Sequence, residues 1–475
     1  MLRLLFDVCK VSSHRLHIGR YFLKKIRISQ MTEKIEPKTM RIDSPQFRAI
    51  FTPELMKLNE IFKKNNYELR MAGGCVRDLL MGLHPNDIDF ASDATPAQMK
   101  EMFSREEIRM LNKNGEEHGT ITCRIDNKEN FEITTLRIDV VCDGRRAEVK
   151  FTKNWQLDAN RRDLTINSLF LGLDGTVIDY FDGISDIERR KIRFVGNASQ
   201  RIQEDYLRIL RYFRFFGRIA PAADTHDIPT INAIKEHKDG LKNVSGERIW
   251  SELKRICVGR FGGDVITTML ETCQLNEVLA LPLNADVSKY RAIFDHNLNS
   301  SIQPMTLLSS LFLDEGDLAV FHKRCKISNV EKSVSELIIQ KREEAVKNSG
   351  NMKYWHGLIL DEERTASCDK TQKTGRERVL ELARYIKMPL ERIEELALWK
   401  MPVFPIGGRD IMESGIERGP KIKAILDHLF SLWKESECSL TKEDLIPHIY
   451  DDGITFETKL RRNRSKKRKH SGSPQ

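Results

Sequence analysis

Two carboxylates separated by a single apolar residue, Asp87 and Asp89 in MAGGCVRDLLMGLHPNDIDFAS, are the side chains of this sequence most clearly arranged for chemistry. In a strand, residues two apart point to one face, so both acids would aim at the same point while Ile88 and Phe90 turn to the core. Two anions that close repel strongly unless a cation lies between them. Mg²⁺, a hard ion held by one or two carboxylates together with substrate phosphates, is the natural choice. NFEITTLRI adds Glu132 between apolar Phe131 and Ile133, as a neighbouring strand would if it completed a two-metal site. A calcium loop fits poorly, because it wants acids at alternate positions followed by glycine, and here Phe90 and Ala91 follow. Taken alone, the pair also suits a charged strand edge.

Gly73 and Gly74 of GGCVRD mark a strand-to-helix turn, where missing side chains let backbone amides approach a phosphate at a helix N-terminus. Arg77, one turn on, can add a charge-assisted fork. A simple tight turn is the plainer alternative, but the acids that follow place an anion site beside a metal site. In ANRRDLTINSL, the Arg162–Asp163 pair reads equally as a helix start with Asp163 as cap. In QEDYLRILRYFRF, Asp205, Arg208, Arg211 and Arg214 recur every three residues and form a slowly drifting helical ridge. A basic amphipathic face packed on acidic neighbours has the same spacing.

The elements that must position these residues change character along the chain. From Phe51 to about Phe181, helix-like PELMKLNEIFKKNN and Val76–Gly82 alternate with strand-like DIDFAS, GTITCRI and NFEITTLRI. After about Ile184, amphipathic helices such as EDYLRILRYFRFFGRI, GERIWSELKRICV and GPKIKAILDHLFSLWKES take over, with a break at FPIGGRDI. The 475 residues suffice for several units, and no apolar run approaches the roughly 20 residues that cross a bilayer, so a membrane span is excluded. Nine scattered cysteines without CxxC spacing read as free thiols.

The net charge of +9 sits in the tails. Residues 1–30 carry seven basic side chains against Asp7, and residues 459–469 carry eight and no acid, so the body between is mildly acidic and any RNA-binding surface must be a local patch. The first 30 residues match a mitochondrial presequence, with an ordinary basic arm as the alternative. Met31 opens an unlike sequence, MTEKIEPK, and a second start there would give nuclear and cytoplasmic forms; a single N-terminus in terminal peptide mapping would contradict that. KLRRNRSKKRKHSGSPQ is expected to be disordered, and its KKRK resembles a nuclear localisation signal or serves as an RNA contact. His226–Asp227 suggests a metal phosphohydrolase pair, but no array of further ligands follows and a loop or helix start is expected.

GGCVRDLLMGLHPNDIDF, ANRRDLTINSL and QEDYLRILRYFRF resemble, in order, the signature motifs of the class II tRNA nucleotidyltransferases, the CCA-adding enzymes of the polymerase-β-like superfamily. The likeness continues through DVVCDGRRAEVKF, YFDGISDIERRKIRFVGN and GERIWSELKRI and, more weakly, to about residue 435. It implies an α+β chain: a polymerase-β-like nucleotidyltransferase head with a small mixed sheet (46–183), then all-α neck (184–260), body (261–400) and tail (401–458). It implies addition of CCA to the acceptor end of tRNA from CTP and ATP with release of pyrophosphate. A bacterial-type poly(A) polymerase shares the head motifs, and a noncatalytic tRNA-binding protein is the reading from another class. By the same resemblance, Asp87, Asp89 and Glu132 bind two Mg²⁺ ions, Gly74 and Arg77 contact the triphosphate, and Arg162 helps hold the nucleotide in a pocket shaped by Asp163 and Asn167. DVVCDGRRAEVKFTKN resembles the family's flexible loop, and the helical half, with clusters such as Lys421 and Lys423, would grip the tRNA.

Asp205 and Arg208 are implied to read the base. A carboxylate only accepts hydrogen bonds and a guanidinium only donates. Cytosine and adenine present an amine donor beside a ring-nitrogen acceptor, whereas uracil and guanine present a carbonyl beside an N–H. An Asp/Arg pair therefore accepts C and A and rejects U and G, which would leave buried polar groups unpaired. Arg211 and Arg214 continue the ridge toward the nucleotide.

Overall fold

The computed structural model describes residues 34–111, 113–142, 147–298, 300–366, 374–451 and 454. The presequence read over residues 1–30, the start at Met31 and the basic tail from 459 lie outside the described residues. The chain divides into two compact units, residues 1–339 and 340–475.

The first unit is built on an eight-stranded sheet in the order β1-β10-β9-β2-β3-β6-β5-β4. The strands are β1 (Lys38–Arg41), β2 (Leu69–Ala72), β3 (Asp89–Ser92), β4 (Arg109–Leu111), β5 (Thr120–Ile125), β6 (Glu129–Thr135), β9 (Phe170–Gly172) and β10 (Thr176–Asp179). Neighbours are antiparallel except β3 and β6, which run parallel. On β5 and β6 the side chains alternate: Ile121, Cys123, Ile125, Phe131 and Ile133 are buried, leaving Thr120, Thr122, Glu132 and Thr134 on the other face. The buried face is closed by helices α1 (Pro53–Lys64) and α3 (Pro96–Arg105), through Phe62 and Phe103 in edge contact at 6.1 Å. Both helices begin with a Thr cap followed by Pro, and Thr95 forms a full capping box with Gln98. Between them, α2 (Gly74–Leu80) leaves β2 on the way to β3.

The stretch that resembles the family's flexible loop contains a two-stranded hairpin, β7 (Arg137–Cys142) paired with β8 (Ala147–Phe151); residues 143–146 are outside the described set.

The rest of this unit is helical: α4 (Trp155–Asn160) before the last sheet strands, then α5 (Ala198–Glu204), α6 (Arg208–Ile219), α7 (Ile228–His237) and α8 (Gly246–Cys257). α6 buries Ile209, Leu210, Tyr212, Phe213 and Phe216. Asp227 caps α7 through Thr230 N–H, and His226 stacks on Phe216 with ring centroids 3.6 Å apart and bonds Tyr212, so this pair is a helix start, as expected.

The second unit contains helices only among its described residues, including α9 (Met352–Ala366), α10 (Gly375–Tyr385) and α11 (Pro420–Glu435), with a core around Ile425, Leu429 and Trp433. No described helix is long and apolar enough to cross a membrane, and Cys75, Cys123, Cys257, Cys273, Cys325 and Cys438 are free thiols.

Candidate active site

β2 enters α2 through Gly73, whose φ of +73° is a conformation that L side chains rarely adopt. A Cβ at Gly73 would meet Arg162 Nη1 at 2.9 Å, so the glycine both turns the chain and lets a guanidinium lie against the backbone. Gly73, Gly74 and Cys75 line a cleft of about 1040 Å³, and no side chain caps α2, an arrangement that favours a bound anion.

Asp89 opens β3 and stands in parallel register with Glu132 on β6, as a neighbouring strand was expected to provide. Asp87 departs from the expected strand position: it lies in the loop leading into β3, and Ile88 is only half-buried. The cause is the turn at Gly73, which ends β2 at Ala72 and leaves Asp87 no strand to pair with on that side. Desolvation in the cleft, and then the charge of Asp87, raises the pKa of Asp89, with Arg162 offsetting part of the rise. Glu132 is raised by desolvation and by Asp89. These carboxylates are thus an electrostatic row with Asp89 in the middle, and none of the three takes a hydrogen bond or ion pair among the described residues.

Among the described residues no three His, Cys, Asp or Glu side chains are gathered closely enough to hold a metal ion as they stand. Mutual repulsion keeps unscreened carboxylates apart. The donor set nevertheless fits a hard divalent cation: carboxylate oxygens without partners, with the raised pKa values of Asp89 and Glu132 being ones a cation would reverse.

Eleven arginines and seven carboxylates line the cleft, and how each arginine is held separates anchors from contacts. Arg77 was expected to offer its fork to phosphate. It is buried, and Nε and Nη2 donate to Asp78 Oδ1 at 3.0 and 2.9 Å while Nη1 donates to Asn167 Oδ1 at 2.6 Å, so much of its fork braces α2 against the 165–167 turn. Arg162 reaches the cleft differently. Asp158 on α4, 1% exposed, accepts from Arg162 Nη2 at 3.2 Å, from Arg161 Nε at 2.8 Å and from the Arg137 amide at 3.1 Å. Burial pushes its carboxyl up, but the two guanidinium groups outweigh that and hold it below the usual range. Sequence reasoning missed Asp158, although its spacing of three and four from the arginine pair was a readable helical signal.

Asp163 is no helix cap. Oδ2 accepts from Arg211 Nε at 2.6 Å and Oδ1 from Asn167 Nδ2 at 3.3 Å. Burial raises its pKa, and Arg211 more than reverses this. Arg214 Nη1 donates to Glu252 on α8 at 3.2 Å, and burial lowers its pKa to about 10. Phe215 lies beneath the guanidinium groups of Arg77, Arg211 and Arg214, whose centres are 4.9, 5.6 and 4.4 Å from its ring.

The residues expected to read the base do not share one helix. α5 ends at Asp205, which is extended with φ −153°, and α6 starts at Arg208. Asp205 and Arg208 are not paired with each other. Asp205 Oδ1 accepts from Leu207 N–H at 3.1 Å, and Oδ2 accepts from Arg248 Nη2 at 2.6 Å. Arg208 is buried; Nη1 donates to Glu204 Oε2 at 2.7 Å and to the Arg201 carbonyl at 3.0 Å, and Nη2 to the Arg161 carbonyl at 2.8 Å. Asp205, Arg208, Arg211 and Arg214 all line the same cleft as Asp89 and Glu132.

Residues 69–193 match the poly A polymerase head domain family. The mitochondrial CCA tRNA nucleotidyltransferase 1 proteins of Mus musculus and Homo sapiens are each 46% identical over 414 residues, 86% of this chain and 93% of theirs. The crystal structure of the Bacillus stearothermophilus CCA-adding enzyme in complex with CTP shares the fold with a TM-score of 0.64 at 24% identity, over 86% of this chain and 97% of that one.

Proposed function

The chain belongs to the CCA tRNA nucleotidyltransferase family, and we propose that its cleft adds the 3′-terminal CCA to tRNA without a nucleic-acid template, from CTP and ATP. In each step the tRNA 3′-oxygen bonds to the α-phosphorus, the bond to the bridging oxygen breaks and pyrophosphate leaves. The observation that carries this reading is the parallel register of Asp89 with Glu132 in the same cleft as the Gly73–Gly74 turn and the arginines of α6. Relatives solved with ATP, with CTP and with tRNA lend support.

Asp87, Asp89 and Glu132 would hold Mg²⁺, whose chemistry is to acidify the 3′-hydroxyl and offset charge on the triphosphate. The chain's own groups bind and orient. Gly74 offers backbone beside the phosphates, Arg162 comes to them from its seat on Asp158, and Arg77 with Asn167 keeps α2 in place. Asp205 accepts a base amine, with Arg208, Arg211 and Arg214 behind it. Residues 46–183 form the head on this reading, 184–260 the neck, 261–400 the body and 401–458 the tRNA-gripping tail. The basic first 30 residues fit a mitochondrial address, with nuclear and cytoplasmic forms starting at Met31.

Asp87→Ala is expected to abolish incorporation, by at least about 10³-fold, and to remove the rise in Tm on adding Mg²⁺, while tRNA affinity stays the same. Asp205→Ala is expected to relax base choice instead. Equal loss of binding and activity in both variants would contradict the assignments.

A further inference from the structure

We propose that Arg248, on α8, sets the orientation of the Asp205 carboxylate and is a positioning residue for base choice; this rests on the reading of Asp205 as the acceptor of the base amine. A single carboxylate on a helix-terminal residue swings about two torsions and discriminates poorly unless both oxygens are held. In this cleft they are. Oδ1 is fixed by the Leu207 amide at 3.1 Å, within the turn that separates α5 from α6, and Oδ2 by Arg248 Nη2 at 2.6 Å from 43 residues away. The guanidinium that meets Asp205 is therefore not Arg208, which is committed to Glu204 and to the carbonyls of Arg201 and Arg161.

The Arg248–Asp205 pair is placed for contact with a ligand. Both residues line the cleft, and their side chains are 36% and 27% exposed, so the carboxylate keeps lone pairs for an incoming amine while its direction is set from behind. One helical turn further along α8, buried Glu252 holds Arg214 at 3.2 Å. α8 thus supplies, at positions i and i+4, one cation that lines the cleft beside the acceptor and one buried anion that backs Arg214. An incoming uracil, with a carbonyl where cytosine has its amine, faces a carboxylate that Arg248 prevents from turning aside.

The experiment compares wild type, Arg248→Ala, Arg248→Lys and Asp205→Ala, each as the full chain, on a tRNA transcript lacking its terminal CCA. It reads kcat/KM for CTP and for UTP, and Tm. Arg248→Ala is expected to cut the CTP-over-UTP ratio at least tenfold, chiefly by raising UTP incorporation relative to CTP, and Arg248→Lys to restore part of it. Arg248→Ala in an Asp205→Ala background should add no further loss of selectivity. Equal falls for both nucleotides, or an unchanged ratio, would overturn the inference. Should Arg248→Ala not fold, Arg248→Lys decides it: the lysine, a point charge without a fork, must lower the ratio measurably at unchanged Tm. If Asp205→Ala itself leaves the ratio intact, the underlying reading of Asp205 fails; if it relaxes the ratio and the Arg248 variants do not, only this inference does.

Discussion

Asp163 shows how single residues of the cleft are stabilised by pairs that cross between elements. Its buried carboxylate is held by Arg211 from α6 and by Asn167 from the adjacent turn. Removing the charge leaves Arg211 only the more distant Glu252 carboxylate at 3.9 Å, and the full loss of a partner costs ~3–5 kcal/mol in a dry interior. Arg211 is 32% exposed, so we expect Asp163→Asn to cost the lesser amount of about 2 kcal/mol. The pH dependence follows from the lowered pKa of Asp163. A carboxylate with a depressed folded-state pKa contributes its full stability above the ordinary value, here 3.8, and loses it as pH falls through the folded one. Urea denaturation should show a constant difference between wild type and Asp163→Asn from about pH 8 to 5, shrinking only below the ordinary carboxylate range. A difference that vanishes by pH 6 would contradict the pairing. Asp158 is built alike, one buried anion seating two arginines.

At the scale of elements, strands β3, β5 and β6, the α2 turn and helices α1, α6, α8 and α11 were legible because each leaves a local signature, such as the alternation on β5 and β6, the apolar 3-4 spacing of α1 and the apolar stripe of α6. Three features were not legible. The α5–α6 break spans only Asp205 to Leu207, too short to disturb apolar periodicity, and it arises because the Asp205 side chain takes the Leu207 amide in competition with helix continuation. The start of β3 depends on where its partner β2 ends. The Asp205–Arg248 and Arg214–Glu252 pairs join residues 43 and 38 apart, and spacing carries no record of such contacts. The Gly73 turn is the element on which most of the cleft depends. Gly73→Ala forces a side chain into φ +73° and against Arg162, a strain of order 1–3 kcal/mol. We expect a lower Tm together with at least about a tenfold fall in kcat/KM for CTP, since displacing Arg162 costs transition-state contacts. A variant with lower Tm but wild-type kcat/KM would show that Arg162 does not need that seat.

For the whole molecule, one unit carries the cleft and the other is helical, with a core of its own. On the proposed reading, its contact with tRNA would use exposed cations such as Lys421 and Lys423 at the start of α11. Contacts to phosphate act through counterion release, so Lys421→Glu with Lys423→Glu should weaken tRNA binding by about tenfold or more and reduce the slope of log K against log salt by up to about 2. The KM for CTP should stay unchanged. An unaltered salt slope would remove these lysines from the RNA contact.

The most direct measurement incubates the purified chain with Mg²⁺, CTP, ATP and a tRNA transcript ending before its CCA, and sequences the new 3′ ends. Ends that stop at CCA are the result predicted here. A long run of A would identify poly(A) synthesis instead, and transcripts left unextended despite tight binding would contradict catalysis altogether.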